Sequence, residues 1–133
     1  MIAVLLAAIL QVTVPMRPID KGLNSNVDAA RQVTVRTADE WSKLWTQHAG
    51  ERKAPAVDFS KDVVLAVFMG TRPSAAFSVE IVGTRTEGAT LVVSYKETRP
   101  APGGVAAQIL TSPYHIVAVP KGSAADVKFE RVN

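Results

Sequence analysis

The chain has 133 residues and a mass of 14.2 kDa, which is enough for one compact domain and too little for two ordinary ones. Hydrophobic residues make up 47% and charged residues 20%, a mixture that excludes wholesale disorder and a coiled coil. The net charge is +3 with the basic residues scattered, so no stripe for nucleic acid is predicted. The chain has no cysteine, which excludes disulfides, thiolate nucleophiles and cysteine-ligated metals.

An apolar run opens the chain. Residues 2–14 are apolar apart from Gln11 and Thr13, and the run is shorter than the roughly 20 residues that a membrane-spanning helix needs. Such a run followed by a polar segment is typical of a secretory signal peptide. We therefore predict that residues 1–16 form a signal peptide or apolar leader and that the protein is extracytoplasmic, either periplasmic or secreted.

Two features oppose a signal peptide: no Lys or Arg precedes the apolar run, and no Ala-x-Ala cleavage site follows it. A buried N-terminal strand or a misassigned start of the chain is the alternative. No stable membrane span is expected unless the leader is retained. Residues 17–28 are rich in Pro, Gly, Asn, Ser and Asp, which predicts a flexible linker, and residues 29–133 are then a single folded domain.

One helix is predicted near residues 38–48. Thr37, followed three residues later by Glu40, forms a capping box that satisfies free backbone N–H groups at a helix start. Apolar positions then recur at helical spacing, with a histidine at the end of the stripe: Trp41, Leu44, Trp45 and His48. Gly50 supplies a C-terminal stop.

About seven short strands are predicted from alternation and apolar runs. The run over residues 63–69 has no polar member, as expected for a strand covered on one face by a second layer and on the other by the helix. The strand candidates are residues 31–36, 63–69, 77–82, 91–98, 105–110, 114–119 and 127–132. The third and fourth flank a turn-rich segment and predict a hairpin. The expected fold is mainly β (α+β), an antiparallel sheet or sandwich with one packed helix.

Catalysis by a nucleophilic triad would have to use His48 or His115, the two histidines of the chain. His48 lies near a helix C-terminus, where an imidazolium favours the helix dipole, and His115 lies within a strand. Both are predicted to be structural, and no catalytic, cofactor-binding or metal-binding residue is predicted. A hydrolase would require a cleft that unites His115 with a carboxylate and a hydroxyl.

Two loops are richer in rigid and small residues than hairpin turns require, namely residues 70–76 and 99–104. Restricted loops lose little entropy on docking, so these loops are candidates for a binding surface; plain connecting loops are the alternative. The predicted partner-binding residues are Arg72, Pro73, Ser74, Phe77, Arg99, Pro102 and Gly103.

The order of these features resembles a known family. The segments that carry the resemblance are residues 40–48, 57–61, 70–74, 77–81, 102–103 and 111–120. They are similar to the C-terminal domain family of the bacterial protease-complex subunit PrcB, over roughly residues 31–130. The resemblance implies an exported, non-enzymatic module that supports a surface protease complex through protein contacts and uses no cofactor.

The sequence therefore predicts an exported, non-enzymatic protein-binding or scaffolding module that stabilises a protease or another envelope complex. Its partner is expected to be a protein, with a protease as one candidate, and not nucleic acid; no oligomeric state is predicted. The alternative is a small β-domain protease inhibitor that inserts the Arg72-Pro73 loop into an active-site cleft.

Overall fold

The computed structural model describes residues 11–133, and within them the chain forms eight strands, one α-helix and a short 3-10 helix. Two four-stranded sheets pack face to face, and the α-helix covers the outer face of one of them. The strands are β1 (Gln11–Thr13), β2 (Arg17–Gly22), β3 (Arg31–Val35), β4 (Asp62–Phe68), β5 (Ser78–Glu87), β6 (Thr90–Thr98), β7 (Tyr114–Pro120) and β8 (Asp126–Val132). The helix α1 is Ala38–Ala49, and the 3-10 helix is Lys121–Ser123. The predicted mainly β fold with one packed helix is confirmed.

The strand order is β1-β5-β6-β8 in the first sheet and β2-β7-β4-β3 in the second. Neighbouring strands are antiparallel except β6 and β8, which are parallel. The hairpin β5–β6 therefore belongs to one sheet, while β4 and β7, which precede and follow it in the chain, are neighbours in the other. This arrangement brings the connection after β4 and the connection before β7 to the same end of the molecule.

Strand β4 lies at the centre of the core. Val63, Leu65 and Val67 pack between the two sheets, whereas Val64, Ala66 and Phe68 pack beneath the helix. All six side chains are at most 1% exposed, because each face of β4 has its own covering layer. The prediction of a strand buried on both faces is confirmed, and its run of β-branched and large apolar residues follows from it.

Helix α1 begins and ends where the sequence predicts. Thr37 Oγ1 accepts a hydrogen bond from the Glu40 N–H at 3.2 Å, but the Glu40 carboxylate binds the Thr37 hydroxyl at 3.1 Å and not the backbone N–H of a complete capping box. Gly50 ends the helix with φ +62°, a conformation that favours glycine. The predicted stripe is buried against the second sheet.

The prediction of a flexible linker over residues 17–28 is wrong. Residues 17–22 form strand β2 at the edge of the second sheet, and Val27 is buried beneath the helix. Pro18 is accommodated because β2 is an edge strand with a register shift between Pro18 and Asp20. An edge position tolerates the breakers that the sequence pattern assigned to a linker.

The predicted leader is described only in part. Residues 1–10 lie outside the described residues, and with them most of the predicted signal peptide. Residues 11–13 pair with β5 as strand β1, and Val14 is 6% exposed in the core between the sheets. The end of the predicted leader therefore contributes to the folded domain.

Two further expectations are corrected. Residues 105–110, predicted as a strand, form an exposed loop without strand pairing. The segment 83–88, predicted as a turn, is largely the second half of β5, which continues past a bulge between Ile81 and Gly83 to a two-residue turn at Gly88-Ala89. The hairpin itself is confirmed.

Candidate functional site

The two connections that contain the predicted loops 70–76 and 99–104 lie side by side at one end of the molecule, and the backbone contacts of the second connection are made by Ala107 and Thr111. We call residues 71–77 and 99–112 together the loop face. They meet because Arg72 and Thr111 exchange two backbone hydrogen bonds of 2.7 and 2.8 Å, and the Ala75 N–H donates to the Ala107 carbonyl at 3.2 Å. The long connection between β6 and β7 is thus fastened to the connection after β4, as the neighbouring positions of β4 and β7 require.

Arg72 lies at the base of the loop face and is partly buried. Its Nη2 donates to the Met69 carbonyl at 3.2 Å, and its guanidinium carbon lies 5.6 Å from the centroid of the Phe77 ring, a cation–π contact. Its Nε is buried and has no hydrogen-bond partner, and it is the one such side-chain atom in residues 11–133. A buried donor without a partner costs free energy, so Arg72 is poorly explained by folding alone.

The outer part of the loop face is apolar and exposed. Val105 is 102% exposed, Leu110 76% and Ile109 55%. A turn at Gly103, with φ +77°, and a hydrogen bond from the Gly104 N–H to the Ala101 carbonyl at 2.9 Å precede them. These three residues were not among the predicted partner-binding residues because they were assigned to a strand. The Pro and Gly cluster directly before them was the available signal of a loop.

The predicted partner-binding residues do not all face outward. Pro73, Arg99, Pro102 and Gly103 are exposed, and Arg99 pairs with Glu97 at 2.9 Å. Phe77 is partly buried against the core between the sheets. Ser74 is corrected to an interior residue, 5% exposed, whose hydroxyl accepts the Ala76 N–H and whose carbonyl accepts the Thr111 hydroxyl.

A second polar group, the His48 cluster, comprises Asp20, Ser25, His48, Arg52 and Tyr114. His48 Nδ1 lies 2.8 Å from Ser25 Oγ, and His48 Nε2 lies 3.0 Å from Asp20 Oδ2. Arg52 approaches the same carboxylate at 3.4 Å. Both histidines were considered for a triad and predicted to be structural, and the contacts of His48 with Asp20 and Ser25 were not foreseen because those two residues were assigned to a linker.

The His48 ring is fully enclosed. Its side chain is 0% exposed, and the rings of Trp45, Phe68 and Tyr114 surround it at centroid distances of 5.1, 5.8 and 4.2 Å. The cluster joins β2, the following loop, the end of α1 and the start of β7. It therefore fastens residues 20–25 to the rest of the domain.

The geometry of the His48 cluster differs from that of a serine hydrolase. In the hydrolase triad Nε2 faces the serine and Nδ1 faces the aspartate, and free backbone N–H groups stabilise the oxyanion. In the His48 cluster the assignment is the reverse, because Nδ1 faces Ser25 and Nε2 faces Asp20. The N–H groups of residues 25, 26 and 27 donate to Ser112 O, His48 O and Ser25 Oγ respectively, so none of the three is free to bind an oxyanion.

The carboxylate of Asp20 is held ionised. Burial opposes its ionisation, but hydrogen bonding to His48, the nearby Tyr114 hydroxyl and the charge of Arg52 together lower its pKa below the ordinary value. Burial and hydrogen bonding to Asp20 raise the pKa of Tyr114. Both shifts are those of a satisfied hydrogen-bonded network.

His115 lies apart from this cluster. Its Nδ1 accepts the Ile81 N–H at 2.8 Å, and the residue is 8% exposed between the sheets. Burial, followed by the charge of Lys21, lowers the pKa of His115 against the opposing effect of Glu80. The structure brings no hydroxyl into hydrogen-bond contact with His115 in residues 11–133, and no group of three potential metal ligands occurs there.

These features define a mainly β domain of two packed sheets with one helix, whose outstanding surface is a pair of fastened loops. Residues 63–120 match the family model described as PrcB C-terminal, which confirms the resemblance found in the sequence. The match extends from β4 to β7 and includes the whole loop face. Neither the curated proteins nor the solved structures gave a match. No helix of residues 11–133 is long and apolar enough to cross a membrane.

Proposed function

We propose that the protein is an exported, non-enzymatic module that binds another protein through its loop face and stabilises a protease complex or another envelope complex. The family match supports an association with a protease complex, because it covers both loops. The apolar run at the start of the chain supports export.

The observation that carries the proposal is the exposure of Val105, Ile109 and Leu110 on a loop that is fixed at its base. Exposed apolar side chains grouped in one loop are unfavourable in water and mark contact surfaces. A loop held by backbone hydrogen bonds loses less entropy on binding than a free one. The surface therefore exposes apolar area for a partner and is already held in a fixed conformation before binding.

Capture from an envelope extract tests the proposal. The loop variant replaces Val105, Ile109 and Leu110 with serine; the matched control replaces Val12 and Val82, which are 48% and 47% exposed on the first sheet, with serine. We expect the control to retain the captured protein and the loop variant to lose it, with both variants folded by circular dichroism. Equal capture by the loop variant would remove the loop face from the proposal.

The non-enzymatic part rests on the enclosed His48 cluster and the engaged N–H groups around Ser25. A fluorophosphonate probe labels activated serines, and we expect it to leave Ser25 unlabelled. Labelling that disappears in the Ser25→Ala variant would show instead an activated nucleophile.

The inhibitor alternative is less well supported, because the Arg72-Pro73 segment is fastened to Thr111 and backed by the buried Ser74. We expect no inhibition of cysteine or serine proteases at micromolar concentration. Inhibition that a Pro73→Ala substitution abolishes would favour the inhibitor.

Export is tested by the mature N-terminus. Cleavage after residue 16 would remove strand β1 and the buried Val14, so we expect an exported form that retains residues from Gln11 onward. Mass spectrometry of the protein from an envelope fraction measures this, and recovery from the cytoplasm alone would contradict export.

A further inference from the structure

We propose that Arg72 receives an Asp or Glu carboxylate of the partner, with apolar side chains of the same partner segment against Ile109 and Leu110. The inference rests on the proposed function of the loop face and names the chemistry that the surface recognises. Its basis is the state of Arg72 compared with the other basic residues of the chain.

All fifteen Lys and Arg residues lie in the described part of the chain, and Arg72 and Arg85 are the two that are partly buried. Arg85 forms ion pairs with Glu87 and Glu130, each at 3.2 Å. Arg72 forms an ion pair with no carboxylate of residues 11–133. A partly desolvated cation is ordinarily compensated by an acid, and here the acid is missing.

The donors of Arg72 are also largely unused. A guanidinium offers five N–H donors, and the one hydrogen bond formed within residues 11–133 goes from Nη2 to the Met69 carbonyl. Nε is enclosed by the protein and so is not available to a ligand. Nη1 has no hydrogen-bond partner in residues 11–133 and, unlike Nε, is not enclosed by the protein, so it is free to donate to a ligand.

The position of Arg72 is fixed before any partner arrives. Its backbone is paired with Thr111, and its guanidinium lies against the Phe77 ring. Leu110 immediately precedes Thr111 in the chain, so an exposed apolar residue lies one position from the residue whose backbone is paired with Arg72. A charge-assisted hydrogen bond to a fixed guanidinium is stronger than one to a mobile side chain, because less side-chain entropy is lost.

A carboxylate fits this surface better than a phosphate. Arg99, the other arginine of the loop face, is already paired with Glu97 at 2.9 Å, so a single cation is free. One free cation on a loop face that also exposes Val105, Ile109 and Leu110 complements one negative charge within an apolar segment. The occupant is therefore an acidic residue next to apolar residues in a protein chain.

A random twelve-residue peptide library displayed on phage tests this inference, with the full chain as the bait. The baits are the wild type, Arg72→Met, Leu110→Ser, and Arg31→Met as the matched control. Arg31 is an exposed arginine that donates a hydrogen bond of 3.5 Å to Gln47. We expect wild type and Arg31→Met to enrich peptides with Asp or Glu beside apolar residues. Arg72→Met should bind those peptides about tenfold or more weakly.

Synthetic peptides from the selection sharpen the result. Replacing the acidic residue with its amide should weaken binding to wild type but leave binding to Arg72→Met unchanged. Enriched peptides that need Leu110 but carry no acid would overturn the inference and leave the proposed function standing. Acidic peptides that bind Arg72→Met and wild type equally tightly would also overturn the inference. Failure to enrich any peptide would count against both the inference and the proposed function.

Discussion

Arg85 and Arg72 have the same side chain and similar burial but opposite surroundings. Arg85 lies on the first sheet between Glu87 and Glu130, and these carboxylates, Glu130 foremost, raise its pKa against the effect of desolvation. Arg72 lies between two loops with one carbonyl and one aromatic ring. The domain supplies the acidic partners of Arg85, whereas Arg72 has none in residues 11–133 and is the charge that we propose a partner protein compensates.

The His48 cluster resembles Arg85 in that its polar groups find their partners within the domain. Each polar atom of the His48 ring has a partner, and the nearby backbone N–H groups are engaged. An imidazole, an acid and a hydroxyl in contact resemble a catalytic set by composition. Their burial and complete hydrogen bonding are those of a structural fastening.

Removing the centre of the His48 cluster should have the largest effect. His48→Ala leaves a cavity under Trp45 and Tyr114 and strands Asp20 and Ser25 without their partner. We expect a loss of about 3–5 kcal/mol in the free energy of unfolding, measured by urea denaturation. The smaller change Ser25→Ala should cost about 1–3 kcal/mol, and an unchanged midpoint for both would show that the cluster is not structural.

Loss of the Thr37 cap at the surface should lower the free energy of unfolding by less than loss of His48. Thr37→Ala removes the hydroxyl that caps the Glu40 N–H of helix α1, and we expect a loss of about 1 kcal/mol. Thr37→Ser retains the hydroxyl and serves as the control in the same denaturation experiment. Equal losses in both variants would assign the effect to the lost methyl group and not to the cap.

Arg72→Met and Arg85→Met test the comparison directly. Arg85→Met leaves two partly exposed carboxylates close together without their cation, so its denaturation midpoint should fall below that of wild type. Arg72→Met loses one hydrogen bond and the Phe77 contact but also removes an unpaired buried donor, so its stability should stay within about 1 kcal/mol of wild type. A large loss for Arg72→Met would mean that Arg72 is a structural residue after all.

The smallest expected effect is the contribution of His115 to the pH dependence of the free energy of unfolding. Because the pKa of His115 is lowered in the folded state, the unfolded chain binds a proton first as the pH falls below the ordinary value of 6.5. The corresponding stability is complete above about pH 6.5 and declines from there toward the folded pKa. We expect nuclear magnetic resonance to show His115 titrating below 6.5 and His115→Gln to remove the decline.

Asp20 affects the free energy of unfolding at a lower pH than His115 does. Its pKa lies below 3.8 in the folded state, so its contribution is present above that pH and is lost as the pH falls through the folded pKa. Asp20→Asn should remove this second decline without affecting the first. A single transition common to both variants would contradict the separation of the two groups.

The sequence predicted the elements whose periodicity was undisturbed. Helix α1 with its Trp41 and Trp45 stripe, the doubly buried β4 and the β5–β6 hairpin all follow from local patterns. Strand β2 was missed because Pro18 and Gly22 are tolerated at a sheet edge, which depends on pairing with a distant strand. Residues 105–110 were misread because an apolar run is equally consistent with a strand and with an exposed contact loop.

In the candidate sites, too, some features follow from local sequence and others depend on the complete fold. Arg72 could be selected from its loop, but its lack of an acid depends on which side chains the fold brings near it. The His48 cluster could not be found, because Asp20 and His48 are 28 positions apart and meet only through β2 and the end of α1. Local sequence identifies suitable residue types, whereas charge compensation is a property of the complete fold.

The family match begins at residue 63, yet the cover for one face of β4 comes from earlier in the chain. Excision of residues 63–120 would expose Val64, Ala66 and Phe68 to water and create a hydrophobic surface prone to aggregation. An expression fragment for biophysical work should therefore include β1 and β2 and not start at the boundary of the family model.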